Sequence, residues 1–182
     1  MKQIIIFLSM LIVAGCSTVD VKQYRDRKPV FDLYSYFQGE TIGWGIVQDR
    51  KGVLLRQFVV TIQGSITENK ELVLQEHFVW NDGEIQQRTW SISAKDAHRL
   101  DGTASDVVGT ATGEVYGNVL NWKYYLDVKV DESNHTLHFD DWMFLQNDNV
   151  LINKTKMSKF GIHLGDITIV FNKNVVPGGR GV

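Results

Sequence analysis

Beyond residue 38 the apolar positions of this chain fall largely on every second residue, in short runs broken by turn residues. A period of two marks a strand buried on one face, because successive side chains point to opposite sides. Ile42, Trp44 and Ile46 alternate along a first run, and Leu54, Phe58, Val60 and Ile62 along a second. Leu72, Leu74, Phe78 and Trp80 mark a third. It ends at Asn81-Asp82-Gly83, where Asp-Gly tolerates the positive φ of a hairpin turn. Trp90 and Ile92 lie on a fourth run, and residues 100–104 and the Gly/Thr-rich 107–116 are weaker. The clearest stripe is Leu120, Trp122, Tyr124, Leu126 and Val128, followed by Leu137, Phe139, Met143 and Leu145. Residues 150–157 and 161–171 close the series. Ahead of the strands, residues 29–37 predict a short helical segment with Phe31, Leu33, Tyr34 and Phe37 apolar. About ten short strands in succession predict an all-β domain, an up-and-down antiparallel barrel or a sandwich. The two prolines, Pro29 and Pro177, interrupt no strand.

The first sixteen residues follow a different rule. Lys2 precedes an apolar run from Ile4 to Val13 that only Ser9 interrupts. That is the length of a signal-peptide core and well short of the ~20 residues that span a bilayer. Val13-Ala14-Gly15-Cys16 then matches a lipobox: an aliphatic residue, two small residues that enter a peptidase cleft, and a cysteine whose thiol accepts a diacylglycerol. Two or three acyl chains, at roughly 0.8 kcal/mol per buried CH₂, hold a protein stably on a membrane. The expected organisation is a signal peptide over residues 1–15, a lipidated tether over 16–28, a β-barrel domain over 29–173 and a flexible tail over 174–182. Cys16 is the single cysteine, so the exported domain relies on its core without disulfides. Ser17, in place of the aspartate that retains lipoprotein at the inner membrane, points to an outer-membrane anchor facing the periplasm. The formal net charge of −2 over 182 residues gives no general attraction to nucleic acid.

Four charges share the parity of apolar stripes. Arg56 lies between Leu54 and Phe58, Glu76 between Leu74 and Phe78, and Asp141 between Phe139 and Met143, while Arg88 shares parity with Trp90 and Ile92. If those faces point inward, two arginines and two carboxylates enter the core, where an unpaired charge costs several kcal/mol. One reading is a structural network in which Glu76 and Asp141 satisfy Arg56 and Arg88. The other is a handle for the carboxylate or phosphate of an amphipathic ligand. Enzymatic and metal chemistry find less support. Asp140 and Asp141 are adjacent, and His135 and His138 are three apart; on a strand both pairs point to opposite faces. Neither a Gly-x-Ser-x-Gly elbow nor a phosphate loop is present. The sequence calls for no cofactor and no metal.

Several motifs recur in a recognisable order: Phe37-x-Gly39, Gly43-Trp44-Gly45, Asp49-Arg50-x-Gly52, Glu76-x-Phe78, Asp82-Gly83 and Arg88-x-Trp90, then Asp106-Val107-x-Gly109, Gly117-Asn118, Trp122-x-Tyr124, Asp140-Asp141-Trp142-Met143 and Lys159-Phe160-Gly161. In these the chain resembles an uncharacterised bacterial lipoprotein family, domain of unknown function 3833, over nearly all of its mature length. The resemblance implies a lipocalin-like (calycin-type) barrel of about 8–10 antiparallel strands with a short N-terminal helical turn. It implies no activity, since the family has none established.

Two function classes follow. In the first, the barrel binds a small amphipathic or lipid ligand, with Trp44, Phe58, Phe78, Trp90, Trp122 and Tyr124 as walls and Arg56, Glu76, Arg88 and Asp141 as polar contacts. In the second, the barrel is filled and the protein is a non-enzymatic structural or assembly partner in the cell envelope. An enzyme acting on lipid or glycan, with Asp141 or Glu76 as general acid or base, ranks behind both, because nothing pairs a nucleophile with a base. The membrane, through Cys16, is the expected partner in either case, and the pattern says nothing about oligomeric state.

Overall fold

A computed structural model describes residues 19–130 and 133–173. The expected signal peptide, Cys16 and the expected tail lie outside the described residues. A 3-10 turn at Val21–Tyr24 and a five-residue helix, α1 (Leu33–Phe37), precede ten strands: β1 (Gly39–Asp49), β2 (Leu54–Ile66), β3 (Leu72–Trp80), β4 (Ile85–Ala94), β5 (Arg99–Thr103), β6 (Val107–Tyr116), β7 (Val119–Val130), β8 (Ser133–Leu145), β9 (Val150–Lys159) and β10 (Ile162–Asn172). Each strand pairs antiparallel with its neighbour in sequence. β1 then pairs with β10, from Ile42 opposite Asn172 to Asp49 opposite Gly165, and closes the barrel. Closure pairs every strand with two neighbours, although β5 covers only the Ser91–Ala94 part of β4 and the β6–β7 ladder breaks between Val108 and Thr112.

The inward stripes follow the expected parity on most strands. Phe58, Val60 and Ile62 of β2, Leu72, Leu74 and Phe78 of β3, Trp90 and Ile92 of β4, and Leu120, Trp122, Tyr124 and Leu126 of β7 are all buried. β1 is the exception. Thr41, Gly43, Gly45 and Val47 take the inward parity, not Ile42, Trp44 and Ile46, although Ile42 is itself buried. A Cβ on Gly43 would lie 2.6 Å from a ring carbon of Phe171, and one on Gly45 2.1 Å from a ring carbon of Phe58. Aromatic rings from the neighbouring strands occupy the space that β1 leaves empty. Trp44 therefore projects from the outer wall with 44% of its surface exposed, and its expected place in the interior wall is corrected. Leu54 is likewise exposed, at the β1–β2 turn rather than in the core.

The predicted helical segment is shorter than residues 29–37. It starts after Asp32, whose side chain accepts from the Tyr34 and Ser35 amides and so caps the first turn. Before it the backbone is extended, and the Phe31 amide donates to the Gly117 carbonyl at 2.7 Å. α1 closes one end of the barrel. The Phe37 ring meets Phe171 edge-on, and the Tyr36 hydroxyl donates to the Asn149 carbonyl. The Tyr34 hydroxyl donates to the Ile92 carbonyl and accepts from the Ala94 amide. Those contacts all lie at the end that carries the β4–β5 and β8–β9 connections. The opposite end carries the β1–β2, β3–β4, β5–β6, β7–β8 and β9–β10 turns and forms the mouth. The 3-10 turn packs outside, with Tyr24 edge-on to Trp142 and Phe144.

Candidate functional site: a polar belt inside the barrel

Between the apolar layer over α1 and the aromatic mouth, inward polar side chains gather from five strands and the β5–β6 turn. Strand pairing sets Glu76 of β3 directly opposite Arg88 of β4. The Arg88 guanidinium forks onto Asp106, with Nε 2.9 Å and Nη2 2.8 Å from Oδ2. Its Nη1 lies 3.7 Å from Glu76 Oε2, an ion pair too long to be a hydrogen bond. Across the barrel the Tyr124 hydroxyl donates to Asp141 Oδ2 at 3.3 Å. The Asn153 amide donates to the Thr155 hydroxyl at 3.2 Å, and Thr155 sits opposite Asp141 in the β8–β9 ladder.

Burial dominates the electrostatics of this belt. It pushes the Glu76 carboxyl from 4.5 up to about 7; the Arg88 charge opposes the rise, and the Asp106 and Asp141 charges reinforce it. Burial likewise raises Asp141 to about 7, against the stabilising hydrogen bonds from Thr155 and Tyr124. The Tyr124 hydroxyl is pushed well up by burial and then by the Asp141 charge. Arg88, buried but flanked by Glu76 and Asp106, stays charged. Three carboxyls thus face a single guanidinium. Buried acceptors are also left over: Glu76 Oε2, Asp141 Oδ1 and Asn153 Oδ1 have no hydrogen-bond partner among the described residues. An unmet buried polar group costs about 1–3 kcal/mol, so such groups mark places where water or a ligand completes the bonding.

Arg56 stands apart from the belt. It shares the inward parity of Phe58 but lies at the mouth, a third exposed, where Asp82 and Glu84 of the β3–β4 turn pair with it at 2.6 and 2.8 Å. Its guanidinium rests on the Trp80 ring at 4.0 Å. Glu76, Arg88 and Asp141 therefore share one interior surface as expected, while the pairing of Arg56 with Glu76 or Asp141 is corrected. The strands carry Arg56 to the rim, out of their reach. Sequence reasoning missed Asp106, Asp82 and Glu84, because all three sit in or beside turns where strand parity is silent. The Asp106-Val107-x-Gly109 motif was the one available signal for Asp106.

The expected wall residues other than Trp44 do face inward, and they pack ring to ring. Trp90 meets Trp122 and Tyr124 edge-on, Tyr124 stacks on Phe139 at 5.2 Å, and Phe58 lies 4.8 Å from Trp80. Two open grooves, of about 640 and 380 Å³, are lined mainly by outward-facing residues, Lys95, Asp101, Glu114 and Lys123 on β5–β7 and its approach, and Gln63, Gln75, His77 and Gln87 on β2–β4. Among the described residues no three His, Cys, Asp or Glu side chains are grouped to hold a metal ion.

With the barrel and its belt described, comparison with known proteins places the chain. The model of a family described as a protein of unknown function, DUF3833, matches residues 10–173. The chain belongs to the DUF3833 family. Among solved structures, this DUF3833 barrel is similar to that of the S-type phycobiliprotein lyase CPES from Guillardia theta, with a TM-score of 0.62. The similarity covers 87% of this chain and 99% of that one. At 5% identity it establishes a shared lipocalin-like fold and nothing about ligand or chemistry. No curated protein matches the chain.

Proposed function

We propose that this DUF3833 protein is a membrane-anchored binding barrel. Cys16 carries the lipid that holds it on the periplasmic face of the outer membrane, and the barrel takes a small amphipathic ligand through the mouth opposite α1. One observation carries the reading: a belt of buried, incompletely bonded polar groups inside an otherwise apolar and aromatic barrel. Ligand sites are mostly apolar with a few convergent polar groups, and a belt serving packing alone gains nothing from open acceptors. Trp90 and Trp122 lie beside the belt and report on its occupancy. Titrating the purified protein with fractions of host lipid extract should give a saturable change in tryptophan emission. Emission unmoved by every fraction counts against binding. The ring-to-ring packing of the interior favours a second reading, an envelope assembly partner with a filled core, and that reading predicts the unmoved emission.

A further inference from the structure

We infer that the belt recognises a cationic hydrogen-bond donor, an amine, on the polar end of an amphipathic molecule, and does not recognise an acid headgroup. The inference rests on the binding reading above and names the chemistry of its ligand. Both arginines that could meet an acid are already engaged. Asp106 takes the Nε–H and Nη2–H edge of Arg88 in a fork, and Glu76 faces its remaining nitrogen. Asp82 and Glu84 hold Arg56 at the rim. An acid headgroup would have to displace a carboxylate from a charge-assisted fork, the strongest bond in the belt.

The vacancies have the opposite character. The fully buried atoms left open in the belt are acceptors: Glu76 Oε2, Asp141 Oδ1 and Asn153 Oδ1. Asp141 and Asn153 are 5% and 3% exposed, so their open atoms are not served by bulk solvent. The charge count agrees, since Glu76, Asp106 and Asp141 exceed Arg88 by two negative charges when all are ionised. An ammonium group offers three donors for the open acceptors and one positive charge that halves the excess. Above the belt, Phe58, Phe78 and Phe139 supply the apolar surface for an alkyl chain leading to the mouth. Of the other buried open atoms, Arg56 Nε and Trp80 Nε1 are donors at the rim, and the Thr41 hydroxyl on β1 can donate or accept.

The test uses the purified full-length protein in a non-ionic detergent, with dodecylamine and dodecanoic acid as chain-matched probes followed by calorimetric titration. Dodecylamine should bind saturably. Glu76→Gln and Asp141→Asn, which keep shape and lose charge, should each weaken it by at least about tenfold, the worth of one charge-assisted hydrogen bond. Arg56→Ala should leave it unchanged. Dodecanoic acid should bind far more weakly than the amine. Equal or tighter binding of the acid overturns the inference and leaves the binding reading standing, as does amine binding that both belt variants retain. If the host lipid extract binds and neither probe does, the inference falls alone. If extract and probes all fail, both fall together.

Discussion

Replacing Glu76 with glutamine tests the electrostatics of the belt. Burial sets the sign. In the unfolded chain the carboxyl titrates near 4.5, and in the barrel it titrates at about 7, so between those values the native state holds the proton more tightly. Its contribution to stability is fully present below about pH 4.5 and is lost as pH rises through about 7. A rise from 4.5 to about 7 corresponds to roughly 3 kcal/mol, an upper bound because Asp141 and Asp106 share the same field. Glutamine carries no charge at any pH. The Glu76→Gln variant should match the parent near pH 4 and become the more stable of the two near pH 8. The gain should reach about 3 kcal/mol, or roughly 6–12 °C in Tm for a domain of this size. Thermal melts of both proteins across that pH range, followed by far-ultraviolet circular dichroism, give the comparison. A variant several kcal/mol less stable than the parent near pH 8 would refute the reasoning. It would mean that Arg88 needs the Glu76 charge more than the barrel resists burying it.

Other outcomes follow from the same geometry. Asp106→Ala strips the fork from buried Arg88 and should cost about 3–5 kcal/mol in denaturant unfolding, whereas Asp82→Ala at the exposed rim leaves Glu84 on Arg56 and should barely register. Gly45→Ala drives a methyl into the Phe58 ring and should cost about 1–3 kcal/mol or more, read by the same melts. Trp90→Ala, in the core, should cost about 3–5 kcal/mol, while Trp44→Ser on the outer wall should stay within about 0.5 kcal/mol; equal losses would contradict the parity of β1. Cys16→Ser should release the protein from the membrane fraction and abolish labelling by a radiolabelled fatty acid, and labelling that persists would remove the anchor from the account.

Strand alternation made most of the barrel legible, because large apolar residues alternate along β2, β3, β4, β7 and β8. It failed on β1 for a physical reason. Two of its inward positions are Gly43 and Gly45, which have no side chain to register, so the larger residues beside them, Trp44 among them, set the apparent phase. Parity also found three members of the belt, Glu76, Arg88 and Asp141, as charges in phase with apolar neighbours. It did not reach Asp106, which enters from the β5–β6 turn, nor Asp82 and Glu84, which draw Arg56 to the rim. Turn residues have no face until the fold gives them one. Closure by β1 and β10 joins segments more than a hundred residues apart, and local periodicity does not encode that pairing. The lipobox stands on sequence alone.

The most direct measurement of the central claim is native mass spectrometry of the full-length protein, purified gently from its own host. The account predicts a second mass above the covalent chain, lost at raised collision energy and diminished in the Glu76→Gln, Asp141→Asn double variant. A single mass equal to the covalent chain, unchanged between parent and double variant, would contradict a ligand-binding barrel and leave the assembly partner standing.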